Sequence, residues 1–171
     1  TPTTALPSTL TGATRLRFDH AYREQARLRR GTEVELRLVQ PSDKQLLADG
    51  FARWSPESRY LRFFSHKQSL SADELRYLTE LDHVRHFALG ASTVVEGKEL
   101  GVGIARYVCL ADRPAEAEAA VAVDDAYAGQ GLGTMLFARL IAAAGERGIG
   151  RFHCYVLARN HKASVGDMRY Y

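Results

Sequence analysis

Residues 121–148, VAVDDAYAGQGLGTMLFARLIAAAGERG, constrain this chain more than any other stretch. A run of valine and alanine reads as a strand, Asp124-Asp125 as a turn, and Gly129, Gly131 and Gly133 as a loop with glycine at alternate positions. Thr134 to Arg147 follows as a helix, with Leu136, Leu140 and Ala143 on one stripe, and Gly148 stands where a helix ends in a left-handed residue. Glycine lets backbone approach a ligand closely and turn its N–H groups toward one point. The helix behind adds unpaired N–H groups and the positive end of its dipole. Together these make an anion site, most naturally for a pyrophosphate.

A chain of 171 residues, 46% hydrophobic and 25% charged, is expected to be one soluble domain with a sizeable core. Apolar runs such as Leu140 to Ala144 are too short to span a bilayer, and the first residues lack the basic region and apolar core of a secretory leader. Cys109 and Cys154 have no metal-like spacing, so two free thiols in a reducing cytoplasm are expected, with no metal. A net charge of +3 suits an acidic ligand such as a nucleotide cofactor and is too small to argue for nucleic acid.

Thr1 to Thr14 reads as a loose tail, and Arg15 to Arg30, with six arginines among apolar residues, as a basic amphipathic helix closed by Gly31. Val34, Leu36 and Leu38 alternate as a strand. Ser42 with Gln45 and Ser71 with Glu74 are capping boxes, predicting helices over Asp43 to Ala52 and from Ser71 to about Leu81. Ser55-Pro56 opens a further helix carrying Tyr60, Leu61, Phe63 and Phe64. Phe87 to Val95 and Leu100 to Val108 flank the Glu96-Gly97 turn as a hairpin. Glu118 to Val123 is the strand feeding the glycine loop, Phe152 to Leu157 a last strand, and Asn160 starts a final helical piece. The expected fold is α/β, a mixed and mostly antiparallel sheet flanked by helices. A tail and basic helical segment over 1–30 would precede one domain over 31–171.

A dinucleotide fingerprint fits poorly, because Thr134 stands where its third glycine would fall, and a phosphate loop of the Walker type would need a lysine before Thr134. The stretch instead resembles the acyl-CoA loop of the GNAT N-acetyltransferase superfamily, whose signature is Arg or Gln, two residues, Gly, one residue, then Gly or Ala. It falls here on Ala128-Gly129-Gln130-Gly131-Leu132-Gly133, with Ala128 in place of the family's Arg or Gln. SPESRYLRFFS and GVGIARY are similar to bacterial protein lysine acetyltransferases of the Pat type. Against that family the chain ends at Tyr171 without the usual C-terminal strands.

The resemblance implies an acetyl-CoA-dependent N-acetyltransferase with a protein lysine as favoured acceptor. A small amine acceptor and a catalytically silent acyl-CoA-binding module are the alternatives. It implies that backbone of Val121, Ala122 and Val123 lies against the pantetheine arm. It likewise implies that amides of Gly129, Gln130, Gly131, Leu132, Gly133 and Thr134 hold the pyrophosphate, and that Asn160 contacts the cofactor, a position that reads equally well as a helix N-cap. Glu118 is the candidate general base: it shares a strand face with Ala120 and Ala122, and a partly buried carboxylate there could take the proton of an acceptor ammonium.

Overall fold

The computed structural model describes residues 15–53 and 69–154. Six strands form one sheet in the order of the chain: β1 (Glu24–Arg27), β2 (Glu33–Leu38), β3 (His86–Val95), β4 (Lys98–Cys109), β5 (Glu116–Val123) and β6 (Arg151–Cys154). Neighbours from β1 to β5 pair antiparallel, and β5 pairs β6 parallel. The parallel step is the one that needs a crossover, supplied by the long helix between those strands.

Three helices flank the sheet among the described residues: α1 (Lys44–Arg53), α2 (Ala72–Thr79) and α3 (Leu132–Glu146). On one face, Leu36, Leu38, Phe87, Leu89, Ala105 and Tyr107 pack with Leu132, Leu136 and Leu140 of α3. On the other, Ala88, Ile104 and Ala122 meet Leu47 and Phe51 of α1 and Leu78 of α2. Alternation along each strand thus feeds two cores. Ala91 pairs with Gly103 and Ser92 with Gly101, which leaves Val102 bulged from β4. Next to the bulge, Gly103 lets α3 settle close to the sheet: a Cβ there would come within 2.9 Å of Leu136 Cδ1.

The basic helix expected over Arg15 to Arg30 is overturned. Glu24–Arg27 is an edge strand paired with β2, and Phe18, Tyr22 and Leu28 are buried in the core beside α3. The segment runs along α3 from its C-terminal to its N-terminal end. The Phe18 N–H donates to Glu146, Arg139 pairs with Glu24 at 2.8 Å, and the Arg29 N–H donates to the carbonyl of Gln130. A short polar run such as Glu-Gln-Ala-Arg satisfies a strand as readily as a helix, and the free edge of β2 decides between them.

The capping box at Ser71 and Glu74 forms as expected. That at Ser42 does not: Pro41–Asp43 is a 3-10 turn, and the Asp43 carboxylate accepts the Gln40 N–H at 2.8 Å. Helix α2 stops at Thr79, short of Leu81, and β5 begins at Glu116, ahead of Glu118. The expected helix after Ser55-Pro56, residues 155–157 of the last strand, Asn160 and the end of the chain lie outside the described residues.

Asp82 closes the turn from α2 into β3, its Oδ1 accepting the N–H groups of Val84, Arg85 and His86 at 2.9, 2.9 and 3.0 Å. Burial alone would raise this carboxyl, but the three donors outweigh it and hold it below its ordinary 3.8. Its contribution is therefore complete above that value and lost as pH falls through the lower folded one. Asp82→Ala should cost about 1 kcal/mol at neutral pH, a figure kept small for an exposed group, and should flatten the acid limb of the stability curve. A thermal midpoint equal to wild type at pH 7 would remove Asp82 from this role.

Candidate functional site

The site begins where β5 ends. The N–H of Asp124 donates to the carbonyl of Val102 at 2.8 Å, its Oδ1 accepts the N–H of Ala126 at 3.0 Å, and its Oδ2 accepts Nε of Arg53 at 3.2 Å. Arg53 also donates to the carbonyl of Gly101 at 2.8 Å. This buried aspartate turns the chain out of the sheet, and α1 braces the turn. Composition marked Asp124 as a turn residue, but its tie to Arg53 spans 71 positions and left no local signal.

Beyond a short 3-10 turn at Asp125–Tyr127, Gly129 and Gly131 have φ of 72° and 89°, the left-handed region that favours glycine. A Cβ on Gly129 would meet nothing within 4 Å, so the loop opens onto free space. Helix α3 starts at Leu132, two residues before the expected Thr134, with Gly131 as its N-cap and no side-chain cap. The N–H groups of Leu132, Gly133 and Thr134 consequently have no acceptor within the helix. No acidic residue stands in the first turn to compensate the dipole. Loop and first turn together place unpaired N–H groups where the glycine spacing predicts an anion site.

Of the strand residues proposed for the pantetheine arm, Val121 and Val123 pack toward α3 while Ala122 is buried against the α1 and α2 side. β4 pairs with β5 as far as Val123, whereas the described pairing with β6 ends at Ala119 with Cys154. Backbone of Ala120 to Val123 on that side has no strand partner among the described residues.

Glu118 lies one residue before the last described pair of β5 with β6. It sits on the α1 and α2 face, with Val108 beside it in β4 and His153 in β6. It is exposed, so the partial burial expected for it is not supplied by the described residues. His153 Nε2 lies 2.8 Å from Oε2 of Glu116, and Arg151 lies 3.4 Å from its Oε1. The bond to His153, with the nearby cations, holds the Glu116 carboxyl below its ordinary value. On the same face Arg106 is buried, which pushes it down to about 9, with its guanidinium against the His86 ring and donating to the carbonyl of Leu78 at the end of α2.

Both cysteines are free, and burial pushes both thiols up, away from the thiolate that covalent catalysis needs. Among the described residues no three His, Cys, Asp or Glu side chains cluster as a metal site, and no helix is long and apolar enough to cross a membrane. Tyr127 packs against the core and Phe87 is fully buried within it.

Three comparisons bear on this geometry. The pattern of the Acetyltransferase (GNAT) family matches residues 49–171. Acetyltransferase Pat of Mycolicibacterium smegmatis is 36% identical over 135 residues, which are 78% of this chain and 39% of that protein, so the chain spans well under half of that relative. Among solved structures, the GNAT domain of S. lividans PAT superposes with a TM-score of 0.72 at 32% identity, over 82% of this chain and 81% of that one. The yncA protein of Salmonella typhimurium, solved with its cofactor acetyl-CoA, reaches 0.53 at 16% identity over 70% and 67% of the two chains, which speaks for the fold alone.

Proposed function

Because the chain belongs to the GNAT acetyltransferase family, we propose that it transfers an acetyl group from acetyl-CoA to an amine, with a protein lysine side chain as the favoured acceptor. The carrying observation is the glycine loop at the end of β5 opening onto the first turn of α3, where Gly131 caps the helix without a side chain and Gly129 faces open space. Three free helix amides and two left-handed glycines fit a diphosphate, and the extended backbone of Val121 to Val123 fits a pantetheine arm laid along it. The Pat relative supports the lysine acceptor.

In this reading Glu118 removes the proton of the acceptor ammonium, directly or through water, because only the neutral amine can attack. The amine nitrogen bonds to the thioester carbonyl carbon, a β5 N–H steadies the oxygen as charge develops on it, and the carbon–sulfur bond breaks to release the coenzyme thiolate, which takes up the second proton that the attacking nitrogen sheds as it becomes an amide. The raised thiols of Cys109 and Cys154 support direct attack over a covalent acyl-enzyme. Asn160 belongs to the proposal as a cofactor contact on the resemblance alone. Two unpaired cysteines fit a cytoplasmic setting.

The test is a calorimetric titration with coenzyme A, followed by thiol release from acetyl-CoA in the presence of a lysine peptide or a small polyamine. Binding and peptide-dependent release are expected. Release with the polyamine alone would replace the acceptor. Binding and thermal stabilisation without release from either would identify a silent acyl-CoA module, the reading that Ala128 favours. No association with the coenzyme would end the proposal.

A further inference from the structure

We infer that Arg29, which lies outside the glycine loop, supplies the cation that grips the diphosphate of the coenzyme, in place of the side chain absent at Ala128. This rests on the proposed function and deepens it. The tip of the β1–β2 hairpin is pinned by three backbone bonds: Leu28 N–H to Thr32 and Gly31 N–H to Leu28, both at 2.8 Å, and Arg29 N–H to Gln130 at 3.2 Å. Gly31, at a φ of 89°, makes the reversal possible. The hairpin thereby delivers the Arg29 guanidinium to the N-cap of α3. A Cβ on Gly131 would lie 3.7 Å from its Nε and 4.0 Å from its Cζ.

Of the six arginines in this segment, Arg29 and Arg30 face no carboxylate among the described residues, and Arg29 is the one that reaches Gly131. Arg15, Arg17, Arg23 and Arg27 each face a carboxylate, from Asp19, Glu24, Glu35 and Glu33. Arg29 is exposed and faces none among the described residues. A cation is unfavourable at the positive end of a helix, and neither a cap nor an acidic first turn offsets it here. Such a placement becomes favourable once an anion lies between the guanidinium and the free amides, because a planar fork of donors matches phosphate oxygens and charge-assisted bonds are the strong ones. Ala128 precedes the left-handed glycines with only a methyl group, so the loop itself brings no cation.

Calorimetry with wild type, Arg29→Ala, Arg29→Lys and the double variant Arg29→Ala/Ala128→Arg tests this against three probes: coenzyme A, dephospho-coenzyme A and pantetheine. Arg29→Ala should bind both nucleotide probes roughly tenfold more weakly and pantetheine unchanged. Lysine should fall between, and the double variant should regain most of the loss. The ligand-free Arg29→Ala protein should melt no lower than wild type, since the backbone N–H, not the side chain, docks the hairpin. A loss confined to coenzyme A would assign Arg29 to the 3′-phosphate and overturn the diphosphate role. An equal loss with pantetheine, a lowered melting point, or no loss with any probe would overturn it as well. If wild type itself failed to bind coenzyme A, the proposed function would fall first and this inference with it.

Discussion

Glu118→Gln is expected to lower acetyl transfer by roughly a hundredfold to ten-thousandfold, the usual worth of a positioned general base, while leaving affinity for coenzyme A unchanged. Glutamine keeps the shape and hydrogen bonding of the side chain but cannot accept the ammonium proton. The split follows from position: Glu118 lies on the α1 and α2 face before the described β5–β6 pairing ends, and the glycine loop lies beyond the far end of the strand. Single-turnover rates with saturating acetyl-CoA and a calorimetric titration separate the two effects. A full rate in Glu118→Gln, with a loss in His153→Gln, would move the base to the adjacent His153–Glu116 pair, whose atoms are 2.8 Å apart. Equal losses of rate and affinity would leave Glu118 a structural residue.

Asp43→Ala should destabilise the protein by about 3–5 kcal/mol, the range for removing one partner of a buried ion pair. Arg37 and Asp43 meet through two parallel bonds of 2.7 Å, and the same carboxylate takes the Gln40 N–H. Their side chains are only 15% and 12% exposed. The bonds to Asp43 outweigh burial and raise the already high pKa of Arg37, and with its partner removed the guanidinium stays charged because its intrinsic basicity is so high. Glu99, at 3.3 Å and 46% exposed, is too wet to take over. Glu99→Ala should accordingly cost under about 1 kcal/mol. Thermal or urea unfolding measures both, and an Asp43→Ala protein within about 1 kcal/mol of wild type would show that water reaches the arginine. Because the pair ties β2 to the start of α1, and α1 braces Asp124 through Arg53, a loosened α1 should also weaken coenzyme binding.

Order along the chain is mostly written in the residues themselves. Alternation over Val34 to Leu38, the Glu96-Gly97 turn, the capping box at Ser71 and the strand–loop–helix run around Gly129 and Gly131 all formed, because period, turn chemistry and capping act within a few residues. Helix α3 starting at Leu132 is a boundary matter, decided by the left-handed φ that Gly131 tolerates.

What the sequence determined alone was a glycine loop running into a helix at the end of a strand in a mixed sheet, the place where the proposed function puts the diphosphate, since glycines and a helix start suffice to build such a loop. Tertiary structure decided the rest. The Glu-Gln-Ala-Arg run of Glu24–Arg27 became a strand because β2 offered an unpaired edge, not through any propensity of its own. Glu118 was known to share a face with Ala122, yet its exposure depends on which helices cover that face. The approach of Arg29 to Gly131 joins residues about a hundred positions apart, a distance over which charge pattern carries no information and only the packed sheet sets the geometry.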